Sequence, residues 1–127
     1  MKTVLVFCTF DVVHPGHLFF LQQAARHGDE LVVVIARDSR VLLEKGKLPY
    51  FNEKERLAVV RQLKVVTRAL LGNKPGTHTM LKKIKPDVIC VGHDQKKHIN
   101  KIPSHIKVIG IPAKNRARWK SSKIKLK

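Results

Sequence analysis

Apolar and polar positions divide the chain into two kinds of segment. The first kind is short and apolar throughout. Lys2 to Cys8 (KTVLVFC) is rich in β-branched residues and reads as a buried strand. Leu31 to Ala36 is apolar at every position, as expected of a strand covered by helices on both sheet faces. Val65 to Leu71, weakened by Thr67 and Arg68, Val88 to Val91 and Lys107 to Ile111 repeat the signal. The second kind has helical spacing. From Gly16 to His27, Leu18, Leu21, Ala24 and Ala25 fall on one face, and Gly28 supplies a stop. Asn52 opens a helix to about Leu63, with Glu55 three residues on completing a capping box. Thr77 begins another helix that ends before Pro86, and the tail from Ser121 is expected to be a short terminal helix. The polar stretch holding Gly46 and Pro49 reads as a loop.

Strands alternating with helices predict an α/β fold: a Rossmann-like, doubly wound sheet of about five parallel strands with flanking helices. In such a sheet the loops after the strands gather at one edge, where ligands bind. With 127 residues and no repeat, low-complexity segment or internal boundary, residues 1–127 are expected to form a single domain.

Composition narrows the partners. The longest apolar stretch, Leu31 to Ala36, is far too short to cross a bilayer, so no membrane partner is expected. Met1 leads straight into the first strand without the basic region and cleavage site of a signal peptide, and the expectation is a soluble cytoplasmic protein. Cys8 and Cys90 are too few and too far apart in sequence for a disulfide scaffold or zinc site, and both read as free thiols. The net charge of +17 is unevenly placed. Residues 1–44 carry four Lys or Arg against five acids, and residues 45–127 carry twenty-two against four. That bias implies polyanionic partners, either nucleotides in a focused cleft or nucleic acid over a broad surface.

The strongest chemical signal is the segment Cys8-Thr9-Phe10-Asp11-Val12-Val13-His14-Pro15-Gly16-His17, between the first strand and the first helix. Gly16 lets backbone approach a ligand, the helix N-terminus offers unpaired N–H groups and a positive dipole end, and two imidazoles can donate to phosphate oxygens. A metal site is a poor reading, because no third His, Cys or carboxylate pair accompanies His14 and His17. Lys45 and Lys47 lie in a glycine-containing loop, where a lysine closes over phosphates or is simply solvated. Ser121 and Ser122 precede a basic segment that suits an anion, and Lys123 adds a point charge. Asp94 follows the fourth strand, where its carboxylate accepts from a ribose or base or caps the next segment. Arg56 sits in an exposed helix turn, where an ion pair with Glu53 or Glu55 is an equally good reading, and Arg116 and Arg118 are phosphate candidates. Asp11 is the best candidate for holding the Mg²⁺ that accompanies a nucleoside triphosphate, directly or through water.

The segment TFDVVHPGH resembles the signature of the cytidylyltransferase-like nucleotidyltransferases, usually written GTFDxxHxGH. Gly28 to Val34, Ala36-Arg37-Asp38, Lys45 to Pro49, Glu55-Arg56-Leu57, Gly92-His93-Asp94-Gln95 and Lys120-Ser121-Ser122-Lys123-Ile124 follow in the family's order, covering nearly the whole chain. The resemblance implies an enzyme that transfers a nucleotidyl group from a nucleoside triphosphate to a phosphorylated acceptor and releases pyrophosphate. The ARD and GHDQK segments are most similar to archaeal-type FAD synthetases, which implies ATP and FMN as substrates. Glycerol-3-phosphate cytidylyltransferases, which use CTP, are the next most similar. On this resemblance His14, His17, Lys45 and Lys123 are the catalytic set. Thr9, Phe10, Asp11, Gly16, Gly92, Asp94, Arg116, Ser121 and Ser122 bind the nucleotide, and Mg²⁺ comes with it.

The match departs in two places. Cys8 replaces the glycine of GTFD, which places a thiol at the pocket; if the first and fourth strands are neighbours, Cys8 and Cys90 end close together, and thiol reagents are expected to lower activity. The family's RYVDEV-like segment, which supports a homodimer in relatives, is here Leu63 to Ala69 without acids. The stretch Pro112 to Lys127 holds seven basic residues, no acid and Trp119, so a basic nucleic-acid-binding module on the same fold is the competing function class.

Overall fold

The computed structural model describes residues 1–73, 80–92 and 102–112. Its elements are β1 (Thr3–Cys8), α1 (Pro15–Ala25), β2 (Glu30–Ile35), α2 (Asp38–Lys45), α3 (Glu53–Arg61), β3 (Arg68–Leu71), α4 (Met80–Ile84), β4 (Val88–Gly92) and β5 (Lys107–Ile111). The five strands form one sheet in the order β3-β2-β1-β4-β5, parallel throughout. This is the doubly wound arrangement that the alternating pattern predicts. Strand β1 is central, and the order reverses beside it, so the crevice at its C-terminal end is where ligands bind in such sheets. Among the described residues no helix is long and apolar enough to cross a membrane.

Period-two alternation sorts the strand residues between the faces. Val4, Val6, Cys8, Val33, Ile35, Val88 and Cys90 join Leu21 and Ala24 of α1 and Leu57 and Val60 of α3 in one core cluster. Leu5, Val32, Val34, Ile89 and Val91 face the other way, toward Met80 of α4 and Ile106.

Three local features differ from the sequence reading. The stretch before Gly46 is helical. In DSRVLLEK, Asp38 sits in the first turn, Arg40 pairs with Glu44 one turn on at 3.0 Å, and Gly46 ends the helix in the left-handed region at φ 75. Gly28 is not the cap of α1, whose last turn is closed by Arg26 in a right-handed conformation. A Cβ on Gly28 would lie 2.6 Å from Val4 Cγ2 and 2.8 Å from the Lys2 carbonyl oxygen, so close packing on β1 demands the glycine. Strand β3 begins at Arg68, three residues later than the apolar pattern suggests, and Leu18 of α1 is exposed. The capping box of α3 forms as read: Asn52 Oδ1 accepts from Glu55 N at 2.8 Å, and Glu55 Oε1 accepts from Asn52 N at 3.0 Å. Strand β3, the segment that the family resemblance associates with a dimer, forms one edge of the sheet. The expected helix start at Thr77 and the tail from Ser121 lie outside the described residues.

Candidate functional site

The chain leaves β1 at Cys8 and passes through Thr9, Phe10 and Asp11 before reaching α1. Phe10 takes φ 49, a left-handed conformation that costs a non-glycine residue about 1 kcal/mol or more. Its neighbours hold it there. The Thr9 carbonyl accepts from Arg56 Nη1 at 2.8 Å. The Asp11 carboxylate accepts from two backbone amides, Tyr50 N at 2.7 Å and Phe51 N at 2.8 Å. Asp11 therefore fastens the segment entering α3 to the signature loop. Both of its oxygens are engaged in that task, which is not the metal-holding one read from the sequence. Among the described residues no group of three or more His, Cys, Asp or Glu is placed to hold a metal ion.

Phe10 in turn packs on His17, with ring centroids 4.6 Å apart, and His17 stacks on His14 at 3.8 Å and 19°. The two histidines cap their own helix. His14 is the N-cap residue of α1, and its Nδ1 accepts from Gly16 N at 3.1 Å, while His17 Nδ1 accepts from His14 N at 3.3 Å. An acceptor at Nδ1 places the proton of a neutral imidazole on Nε2. Burial holds the His14 pKa below its ordinary 6.5, with a backbone hydrogen bond opposing, so that ring is neutral at physiological pH.

This geometry corrects the sequence argument about backbone donors. Gly16 N is engaged by His14 Nδ1, and His17 N and Leu18 N both donate to the His14 carbonyl, at 2.9 and 3.2 Å. Pro15 has no N–H. The first turn thus offers a dipole end and two Nε2–H groups rather than a cradle of open amides.

Arg56 is the second correction. It is 1% exposed, not a surface residue. Its guanidinium joins three loops: Nη1 to Thr9, Nη2 to Asp38 Oδ1 at 2.7 Å, and Nε to the Phe51 carbonyl at 3.1 Å. Asp38 and Glu53 accept from each other's backbone amides, at 3.2 and 2.9 Å. Arg37 extends the web, donating from Nε to Gly72 O at 2.7 Å and reaching Glu53 at 3.4 Å. The loops after β1, β2 and β3 are thereby tied to the start of α3. Low exposure makes these charge-assisted bonds strong and their loss expensive.

Other residues named from the sequence are spread around this edge. Gly92 ends β4, and Lys45 ends α2 with its side chain exposed, next to exposed Lys47. Asp94, Arg116, Arg118, Ser121, Ser122 and Lys123 lie outside the described residues. Cys8 is buried and borders a cavity beside Thr9, while Cys90 is sealed and its thiol is pushed up to about 11 by burial. The pairing of Val4 with Val88 and Leu5 with Ile89, continued along the strands, sets Cys90 level with Val6 rather than with Cys8. That cavity, about 580 Å³, had no signal in the sequence, because its wall residue Phe7 looks like any other strand residue.

The family model described as cytidylyltransferase-like matches residues 5–127. An FAD synthase of Methanothermobacter thermautotrophicus is 45% identical over 114 residues, covering 87% of this chain and 75% of the relative. An FAD synthase of Thermoplasma volcanium is 42% identical over 114 residues, covering 90% and 80%. Among solved structures, a lipopolysaccharide core biosynthesis protein from Thermoplasma volcanium aligns with a TM-score of 0.81 at 39% identity, over 91% of this chain and 99% of that one. Pantothenate synthetase from Thermus thermophilus aligns at 0.63 and 14% identity, over 95% and 62%, a likeness of fold alone.

Proposed function

The chain belongs to the cytidylyltransferase-like family, and from that premise we propose that it is an FMN adenylyltransferase, joining AMP from ATP to FMN with release of pyrophosphate and FAD. The observation that carries the choice of substrates is the 40–46% identity to FAD synthases over most of the chain. The histidine-capped loop at the end of β1 supplies the chemistry.

A phosphate oxygen of FMN attacks the α-phosphorus in line. The new P–O bond forms as the bond to the β-phosphate bridge breaks, and the electron pair leaves with pyrophosphate. No protein nucleophile takes part, so the work is positioning and neutralising charge as it moves to the leaving group. The Nε2–H groups of His14 and His17 are the donors assigned to that charge. Because Nδ1 of each ring is fixed by a backbone amide, the donors are pre-oriented and need no reorganisation during the reaction. Mg²⁺ enters with ATP as part of the substrate. Lys45, from the exposed end of α2, and Lys123 are assigned to the leaving pyrophosphate. Thr9, Phe10, Asp11, Gly16, Gly92, Asp94, Arg116, Ser121 and Ser122 are assigned to the nucleotide, with Phe10 and Asp11 acting through the loop they hold.

The test is pyrophosphate release by purified protein with Mg²⁺ and the four pairings of ATP or CTP with FMN or glycerol 3-phosphate. Release confined to ATP with FMN is the expected outcome. Release with CTP and glycerol 3-phosphate alone would move the chain to the cytidylyltransferase reading with the same mechanism. The +17 charge supports polyanion binding as a second reading. No release from any pair, with salt-sensitive RNA binding, would favour it.

A further inference from the structure

Strand β1 is the middle of the sheet, yet Phe7 on it is 36% exposed. Its register partner Val34 on β2 is 2% exposed, and Val91 on the neighbouring β4 is 6% exposed. A central strand in a doubly wound sheet is ordinarily covered on both faces. Here the cover on the face opposite α1 and α3 stops short, because α4 is only five residues long. The gap is the cavity of about 580 Å³, walled by Phe7, Val34, Ile89 and Met80, with Arg37 and Arg40 among its lining residues. Its size falls within the roughly 300–1,000 Å³ range of small-molecule sites, and aromatic, aliphatic and thioether walls suit a flat polarisable ring. A three-carbon phosphate would leave those walls wet.

We propose that this cavity takes the isoalloxazine ring of the flavin acceptor against Phe7 and Met80, with Arg37 and Arg40 meeting the acceptor's phosphate. The inference rests on the FMN adenylyltransferase reading and adds where the acceptor sits and what selects it. The two substrates then approach from opposite faces of the sheet. They meet at the end of β1, where Thr9 borders the cavity and Phe10 touches His17. The arginines are held for the task. Arg37 is tied to Gly72 and Glu53, and Arg40 to Glu44, yet each guanidinium carries five donors, more than these contacts use. A phosphate at the end of β1 is within the chemistry of that fork.

The chain has two methionines, Met1 and Met80, so methyl-labelled methionine gives a probe inside the cavity without any substitution. Riboflavin, which has the ring but no phosphate, is expected to shift the Met80 methyl signal by ring current, and ATP alone is expected to leave it in place. An unmoved Met80 signal at saturating flavin would overturn the proposal. Fluorescence titration then separates the parts. Phe7→Ala is expected to weaken FMN and riboflavin about tenfold while ATP affinity stays within about twofold, and Phe7→Trp to restore flavin binding. Arg40→Gln is expected to weaken FMN but not riboflavin. Loss of ATP binding with flavin binding intact would give the cavity to the nucleotide base and overturn the inference. Unchanged affinities in Phe7→Ala protein that still makes FAD would overturn the inference alone. Wild-type protein that neither binds nor adenylylates FMN would overturn the underlying reading, and the inference with it.

Discussion

The two faces of the sheet are finished differently. On one, α1 and α3 lay Leu21, Ala24, Leu57 and Val60 against β1 and β2 with almost no exposure. The loops above them are fastened by Arg56, Asp11, Asp38 and Glu53. On the other, a five-residue α4 leaves Phe7 open beside the cavity. The contrast separates two needs. Donors that must stand still while charge moves are placed over the tightly packed face, and a large flat substrate is admitted where packing is left incomplete. The strained Phe10 sits at the boundary and is supported entirely from the packed side.

Substitutions on each face can break that contrast. The largest effect is expected from His17→Ala, which removes one Nε2–H donor. By comparison with other electrostatic donors, kcat/KM should fall about 10²- to 10³-fold, while the thermal midpoint falls only by the share of one cap. A rate loss matched by unfolding would mean that the ring is structural only.

Leu21→Ala should cost about 2–5 kcal/mol of stability, because Leu21 is fully buried under α1, and should leave flavin affinity of the folded protein unchanged. Phe7→Ala should cost about 1 kcal/mol or less, because much of its ring is already in water. Equal losses in urea titrations of the two variants would erase the distinction between the faces. Arg56→Met should cost about 3 kcal/mol, since Asp38 and the Thr9 and Phe51 carbonyls all lose their partner. It should also slow turnover below the melting transition by freeing the signature loop.

A smaller effect concerns pH. The folded-state pKa of His14 lies below 6.5, so the unfolded chain takes up a proton that the folded chain refuses. His14 therefore lowers stability as pH falls from about 6.5 through its folded value, and contributes no such loss above 6.5. His14→Asn keeps a capping acceptor but cannot titrate. Its urea midpoint should fall less than that of wild type between pH 7.5 and 5.5. An identical decline would place the acid sensitivity elsewhere.

Much of the fold is legible in the sequence because a buried parallel sheet writes itself as apolar runs, and β1, β2, β4 and β5 fall within a residue or so of those runs. The Asn52–Glu55 box is legible for the same local reason. Helix α2 escapes the pattern because Leu42 and Leu43 face solvent and Val41 alone is buried, so no apolar stripe marks it. The histidine pair is visible as chemistry but not as a cap, since His is not among the usual capping residues. Arg56 looks like a surface charge because its acceptors are backbone carbonyls and a carboxylate far away in the chain. The cavity is invisible for a related reason: what makes it is the shortness of a helix on the far face, not any residue in its wall.

Direct transfer to a flavin can be followed with ATP labelled at the α-phosphate, incubated with the wild-type protein and Mg²⁺ with and without FMN. Label should enter FAD only when FMN is present, in equal amount to the pyrophosphate released, with none retained on the protein. Label accumulating on the protein without FMN, or appearing in no flavin product when FMN is supplied, would contradict it.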